Sequence, residues 1–89
     1  MTISVLHLND TLCRIVIDGV MTIDTEMQLQ GNLLSAFATY REVDIDLAGV
    51  SEMDASTLHL LARSKVIAIA RGKSLRRISP NPTVLALDI

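Results

Sequence analysis

Asp54, Ser56 and Thr57 are the residues whose types and spacing could do chemistry, in the stretch Gly49-Val50-Ser51-Glu52-Met53-Asp54-Ala55-Ser56-Thr57-Leu58. An Asp followed by hydroxyls at i+2 and i+3 marks a helix N-terminus, where the carboxylate accepts otherwise unpaired backbone N–H protons. With Asp54 as N-cap, Ser56 is the second helical residue, at the positive end of the helix dipole. A phosphate on Ser56 would be stabilised there by the helix itself. It would also add about two negative charges to the edge of any docking surface beside it. The chemistry on offer is a reversible modification that controls binding.

No catalytic set assembles around it. His7 falls in a strand and His59 in a helix, and neither has Cys or carboxylate neighbours at metal-ligand spacing. Asp44 and Asp46 share a strand face, but no acid with a raised pKa is indicated beside them. Gly19, Gly31, Gly49 and Gly72 are isolated, so no phosphate-binding loop is present. Cys13 is the single cysteine and sits in the apolar run Leu12 to Ile17, as a buried structural thiol would. The sequence therefore implies a protein that is not an enzyme and needs no cofactor.

The chain has 89 residues, a length that fits one domain over residues 1–89. Aromatics are limited to Phe37 and Tyr40, so the core must be aliphatic. The net charge of -2 with intermixed signs argues against nucleic acid or an anionic membrane surface as partner. The basic segment Arg71 to Arg77 reads as a solvated turn. The N-terminus lacks a secretory pattern, and no apolar run approaches the roughly 20 residues of a membrane span. A cytoplasmic protein without membrane insertion is the expectation.

The elements that must position Ser56 follow from periodicity. Ile3 to Leu8 and Leu12 to Ile17, separated by Asn9-Asp10, read as an antiparallel hairpin, which Val20 to Ile23 could extend beyond a kink at Gly19. A helix follows, capped by Asp24 or Thr25. Leu29, Leu33, Leu34, Phe37 and Tyr40 form its core stripe, at ~100° per residue. Val43 to Ala48 is a strand, and Ser51 to Asp54 a loop. The second helix runs from Asp54 to Arg71 and stops at Gly72. Leu75 to Ile78 is a strand, Ser79 to Pro82 a break, and Thr83 to Leu87 a last short helix. The order β-β-α-β-α-β-α makes a small α/β domain, with a mixed sheet of about four strands and helices packed against it.

On a helical wheel of the second helix, Ala55, Leu58, Leu61, Ala62, Val66 and Ile69 form the expected buried face. Ser56, Leu60, Arg63 and Ile67 then make one outward stripe at i, i+4, i+7 and i+11. Leu60 and Ile67 would be its apolar anchors, flanked by the hydroxyl and the arginine.

These residues resemble the STAS domain family, named for sulphate transporters and anti-sigma factor antagonists. The stretch from Ile17 to Phe37 is similar to the family's strand, turn and first helix. The stretch from Val43 to Leu61 resembles its signature strand ending "D-L-S-G-V", followed by a "D-S-S-G-L" or "D-T-A-G-L" helix start. The stretch from Gly72 to Ile89 resembles its last strand, turn and helix. Two positions depart from the pattern: Ala55 replaces the first hydroxyl, and Thr57 stands where the family has Gly.

The resemblance implies a binding module that captures an anti-sigma factor/serine kinase or related ATPase. Ser56 would be phosphorylated by that partner and restored by a PP2C-type phosphatase. Asp54 and Thr57 would belong to the motif, and Asp46 would hold the loop after its strand. Ser51, Glu52, Leu60, Arg63 and Ile67 would contact the partner. Two other readings stay open: a constitutive scaffold in a phospholipid-transport ABC system or chemosensory complex, and a small-ligand sensor at Ser51 to Asp54. Sheet edges also leave a homodimer open.

Overall fold

The computed structural model describes residues 2–78, the side chain of Asp24 excepted. Strand β1 (Thr2–His7) pairs antiparallel with β2 (Leu12–Met21), with Ile3 opposite Ile17 and His7 opposite Cys13. The turn between them is organised by one side chain. Asn9 Oδ1 accepts the backbone N–H of Thr11 and of Leu12, each at 2.9 Å, as an Asx turn does.

Helix α1 (Ile23–Thr39) then crosses to β3 (Glu42–Met53), and α2 (Ala55–Ala70) crosses to β4 (Ser74–Ile78). The sheet order is β1-β2-β3-β4, with β2, β3 and β4 parallel. The expected mixed four-strand sheet with two helices is therefore present. The helix expected over Thr83 to Leu87 and the break before it lie outside the described residues.

One face of the sheet carries Cys13, Ile15 and Ile17 from β2 and Val43, Ile45 and Leu47 from β3, all fully buried. The helices supply Leu29, Leu33, Phe37, Leu60 and Leu61 to the same core. Burial pushes the Cys13 thiol above its ordinary pKa, with a smaller push from the Asp44 charge, as expected of a structural thiol.

The neighbouring strand positions hold an ion cluster. Asp44 is only 2% exposed. Its Oδ1 accepts from Arg76 Nε at 3.0 Å and its Oδ2 from Arg76 Nη2 at 3.2 Å. Arg14 Nη2 approaches Oδ2 at 3.9 Å. Register explains the trio, because Asp44 stands between Arg14 on β2 and Arg76 on β4. Arg76 is thus tied down, where the sequence suggested only a solvated turn. Asp46 Oδ1 accepts from Ala48 N at 3.0 Å, a bond within β3 rather than in the loop expected after the strand.

Three expectations are corrected, two about the ends of elements and one about the core stripe of α1. Helix α1 begins at Ile23 with Thr22 as N-cap, not with Asp24 or Thr25. Thr25 Oγ1 accepts from Thr22 N at 3.1 Å and donates to Thr22 O at 2.9 Å, which closes the first turn early. Leu34, placed in the core stripe by spacing, is 38% exposed, and Ala36 is buried instead.

The third correction concerns the segment before Asp54. Strand β2 bends at Gly19 (φ 93°) and continues, so Val20 and Met21 pair with Glu52 and Met53. Ser51 to Met53 are strand, not loop. The irregular register there brings β3 close to β2, and a Cβ on Gly49 would overlap the Asp18 carboxylate. This extension carries the chain to Asp54 in line with the start of α1.

Candidate functional site

The N-termini of α1 and α2 meet at Asp54. Its backbone N–H donates to Met21 O at 3.3 Å, which locks the residue to the end of β2. Its Oδ1 accepts from Thr57 N at 3.0 Å, Thr57 Oγ1 at 2.8 Å and Ser56 Oγ at 2.9 Å. Its Oδ2 accepts from Ile23 N, the first residue of α1, at 3.1 Å. One carboxylate thus caps its own helix and takes an orphan amide of the other. The Thr57 amide and hydroxyl, then the Ser56 hydroxyl, hold Asp54 below the ordinary carboxylate pKa, against a smaller opposing effect of burial.

Ser56 is half-buried on the first turn of α2, with its proton directed to Asp54. It borders a shallow depression with Glu26, His59, Ala62 and Arg63. Arg63 Nη2 lies 3.7 Å from Glu26 Oε1, an ion pair across the two helices. Thr57 is only 1% exposed, with its hydroxyl spent on Asp54. It points into the protein, so the larger residue at the family's Gly position does not crowd the surface at Ser56. Ser51 and Glu52 are exposed at the end of β3.

The wheel assignment of α2 holds for Leu61, which is buried, and Leu58, which packs against the core, and fails for the rest of the face. The buried residues of α2 are Thr57, Leu60, Leu61, Ser64 and Ala68, while Val66 and Ile69 are 66% and 67% exposed. Leu60, expected as an outward anchor, is 3% exposed and part of the core. The cause is chemical. Thr57 and Ser64 pass as core residues because each hydroxyl is satisfied locally, Ser64 Oγ donating to Leu60 O at 2.8 Å. A wheel that sorts only by hydropathy rotates the face toward Val66 and Ile69. Leu60 is therefore no contact residue for a partner.

Ser56, Arg63 and Ile67 remain accessible, on the flank of α2 that leans toward α1. Ile67 is 37% exposed and lines a hollow with Gln30, Leu34, Phe37 and Arg63. Helix α1 adds exposed Ile23 (65%), Met27 (83%) and Leu34 along the same side as Glu26. Sequence reasoning missed Ile23, Met27 and Glu26. Their signal was available: Ile23, Met27 and Leu34 are spaced i, i+4 and i+11, away from the Leu29-Leu33-Phe37 stripe. Leu34 and Ile67 line a hollow with Arg63, next to the depression that Arg63 shares with Glu26 and Ser56.

Among the described residues no cluster of His, Cys, Asp or Glu could hold a metal ion. His7 Nδ1 is 2.8 Å from Tyr40 Oη, far in sequence but adjacent in space. Also among the described residues, no helix is long and apolar enough to cross a membrane.

A family model described as "Mlab, STAS domain" matches residues 5–87. No curated protein matches the sequence. Among solved structures, unphosphorylated SpoIIAA, an anti-sigma factor antagonist, superposes with a TM-score of 0.84 at 16% identity, covering 97% of this chain and 76% of that one. An anti-sigma factor antagonist from Mycobacterium paratuberculosis gives 0.77 at 17% identity, covering 96% and 74%. The protein Mglu gives 0.78 at 20% identity over 89% of this chain, which spans only 20% of the length of Mglu. At these identities the likeness to solved structures is one of fold.

Proposed function

The chain belongs to the STAS domain family, and from that premise we propose that it is a non-enzymatic regulatory module switched by phosphorylation at Ser56. Its partner is an anti-sigma factor/serine kinase or a related ATPase, and a PP2C-type phosphatase reverses the modification. The observation that carries this reading is the position of Ser56: half-buried on the first turn of α2, at the border of the α1/α2 flank. The fold likeness to anti-sigma factor antagonists supports it.

The physical consequence of modification is local. A phosphate on Ser56 Oγ ends its donation to Asp54 and sets a dianion beside a carboxylate and Glu26. The helix N-terminus stabilises that charge, so α2 need not unfold. A partner that buries Met27, Ile67 and the Arg63 pair would have to desolvate the dianion as well, which weakens capture.

A second reading is a constitutive scaffold, as in a phospholipid-transport ABC system. It is favoured by the Mlab description of the matched family and by the commitment of both hydroxyls to Asp54 as structural caps. Incubation with the cognate kinase and ATP, followed by mass spectrometry, separates the two. Phosphate on Ser56 supports the switch; an unmodified Ser56 with an active kinase supports the scaffold.

A further inference from the structure

Ser56 shares its side of α2 with two residues that can donate to an anion. His59 and Arg63 follow it at i+3 and i+7, and at ~100° per residue the three fall within about 60° of arc. They line one shallow depression with Glu26 and Ala62. Arg63 lies about 10.5 Å further along the axis at ~1.5 Å per residue, and helical side chains lean toward the N-terminus, which is the direction of Ser56. The hold of Glu26 on Arg63 is loose. Arg63 Nη2 stands 3.7 Å from Glu26 Oε1, beyond hydrogen-bond distance, and its side chain is 68% exposed, against 17% for Glu26. Exposed ion pairs of this kind bind weakly.

We infer that His59 and Arg63 form a clasp that reads the modification: Arg63 leaves Glu26 for a phosphate on Ser56, and His59 donates a ring N–H to the same phosphate. The clasp rests on the reading of Ser56 as a phosphorylated residue. The exchange follows from charge and geometry. A phosphate offers about twice the charge of a carboxylate, and a guanidinium can meet two of its oxygens at once. The modification also replaces the Ser56 hydroxyl proton, so the bond to Asp54 Oδ1 is lost and the two anions repel. Asp54 is the N-cap, and His59 and Arg63 lie on the opposite, C-terminal side of Ser56. Repulsion therefore drives the phosphate toward the clasp.

The consequence reaches α1. Glu26 keeps a mostly buried side chain and loses its cation. A partner fitted to the Glu26–Arg63 pair then meets an unpaired carboxylate on one helix as well as a phosphate on the other. Arg63 thus carries the modification of α2 across to α1 without any change of fold.

Phosphorus NMR of the chain carrying phosphoserine at position 56, incorporated during synthesis so that no kinase is needed, tests the clasp. Asp54 and Glu26 raise the second pKa of the phosphate, while Arg63, His59 and the helix N-terminus lower it. In Arg63→Gln and in His59→Gln the phosphate should bind its last proton at least about twofold more tightly, and Glu26→Gln should have the opposite effect. The Arg63 Nε resonance should move on phosphorylation in the native chain. Arg63→Lys, which keeps the charge, should restore most of the native titration. Identical titrations in native, Arg63→Gln and His59→Gln chains, with Tm unchanged, would overturn the clasp and leave a switch by charge alone. A kinase that ignores Ser56 would instead sink the proposed function without altering these titrations.

Discussion

Asp54 Oδ2 accepts the amide proton of Ile23 at 3.1 Å, across a sequence distance that spans all of α1 and β3. The cap of α2 is thereby also a partner for the first turn of α1, and the two helix N-termini are held as one unit beside Ser56. The surface proposed for the partner depends on that junction, because Met27 and Glu26 from one helix must stand at a fixed spacing from Arg63 and Ile67 of the other.

Asp54→Asn tests the junction directly. The amide keeps one carbonyl oxygen for Thr57 N but turns an NH2 toward the Ile23 N–H, donor against donor. Tm should fall, and amide exchange should quicken at Ile23 as well as at Thr57. Protection kept at Ile23 would mean that the junction does not hold α1.

The same carboxylate should make stability sensitive to acid. In the unfolded chain Asp54 takes up its proton near 3.8, and in the folded chain only at lower pH. The unfolded state therefore binds the proton first, so this contribution is complete at neutral pH and is lost as pH falls through the folded value. Urea unfolding of the native chain should weaken between about pH 4 and pH 2 more steeply than that of Asp54→Asn. Parallel curves would contradict the assignment.

Leu60 and Met27 should separate core from surface. Leu60→Ala, at a position 3% exposed, should cost about 2–5 kcal/mol in urea unfolding. Met27→Ala, at a position 83% exposed, should stay within about 0.5 kcal/mol of the native chain. Met27→Glu should leave the fold intact and reduce capture of the kinase partner.

The Asp44 cluster predicts an ordering. Arg76→Met leaves a buried carboxylate with only the distant Arg14, so it should lower Tm more than the double change Arg76→Met/Asp44→Leu does. Equal losses would mean that solvent reaches Asp44.

What could be read in advance follows from how local each signal is. The hairpin, both crossovers, the Asp54 cap and the Gly72 stop are written in short stretches, and the structure has them. Thr57 and Ser64 were unreadable as core because their burial depends on acceptors that only the folded backbone supplies. The error they caused moved Leu60 to the wrong side. The Asp44–Arg76 pair and the Asp54–Ile23 bond were invisible for another reason: both cross between elements, and register alone sets them. Ser56 needed only its neighbours, and it stands where Asp54 as cap requires.

The central claim is that charge at Ser56 controls capture of a partner by the α1/α2 flank. Affinities of the cognate kinase for the native chain, Ser56→Ala and Ser56→Asp measure it, with Tm recorded for each to exclude misfolding. The switch predicts binding by the native chain and Ser56→Ala, and loss of at least tenfold in affinity, about 1.4 kcal/mol, for Ser56→Asp. Equal affinity for all three folded proteins would contradict it.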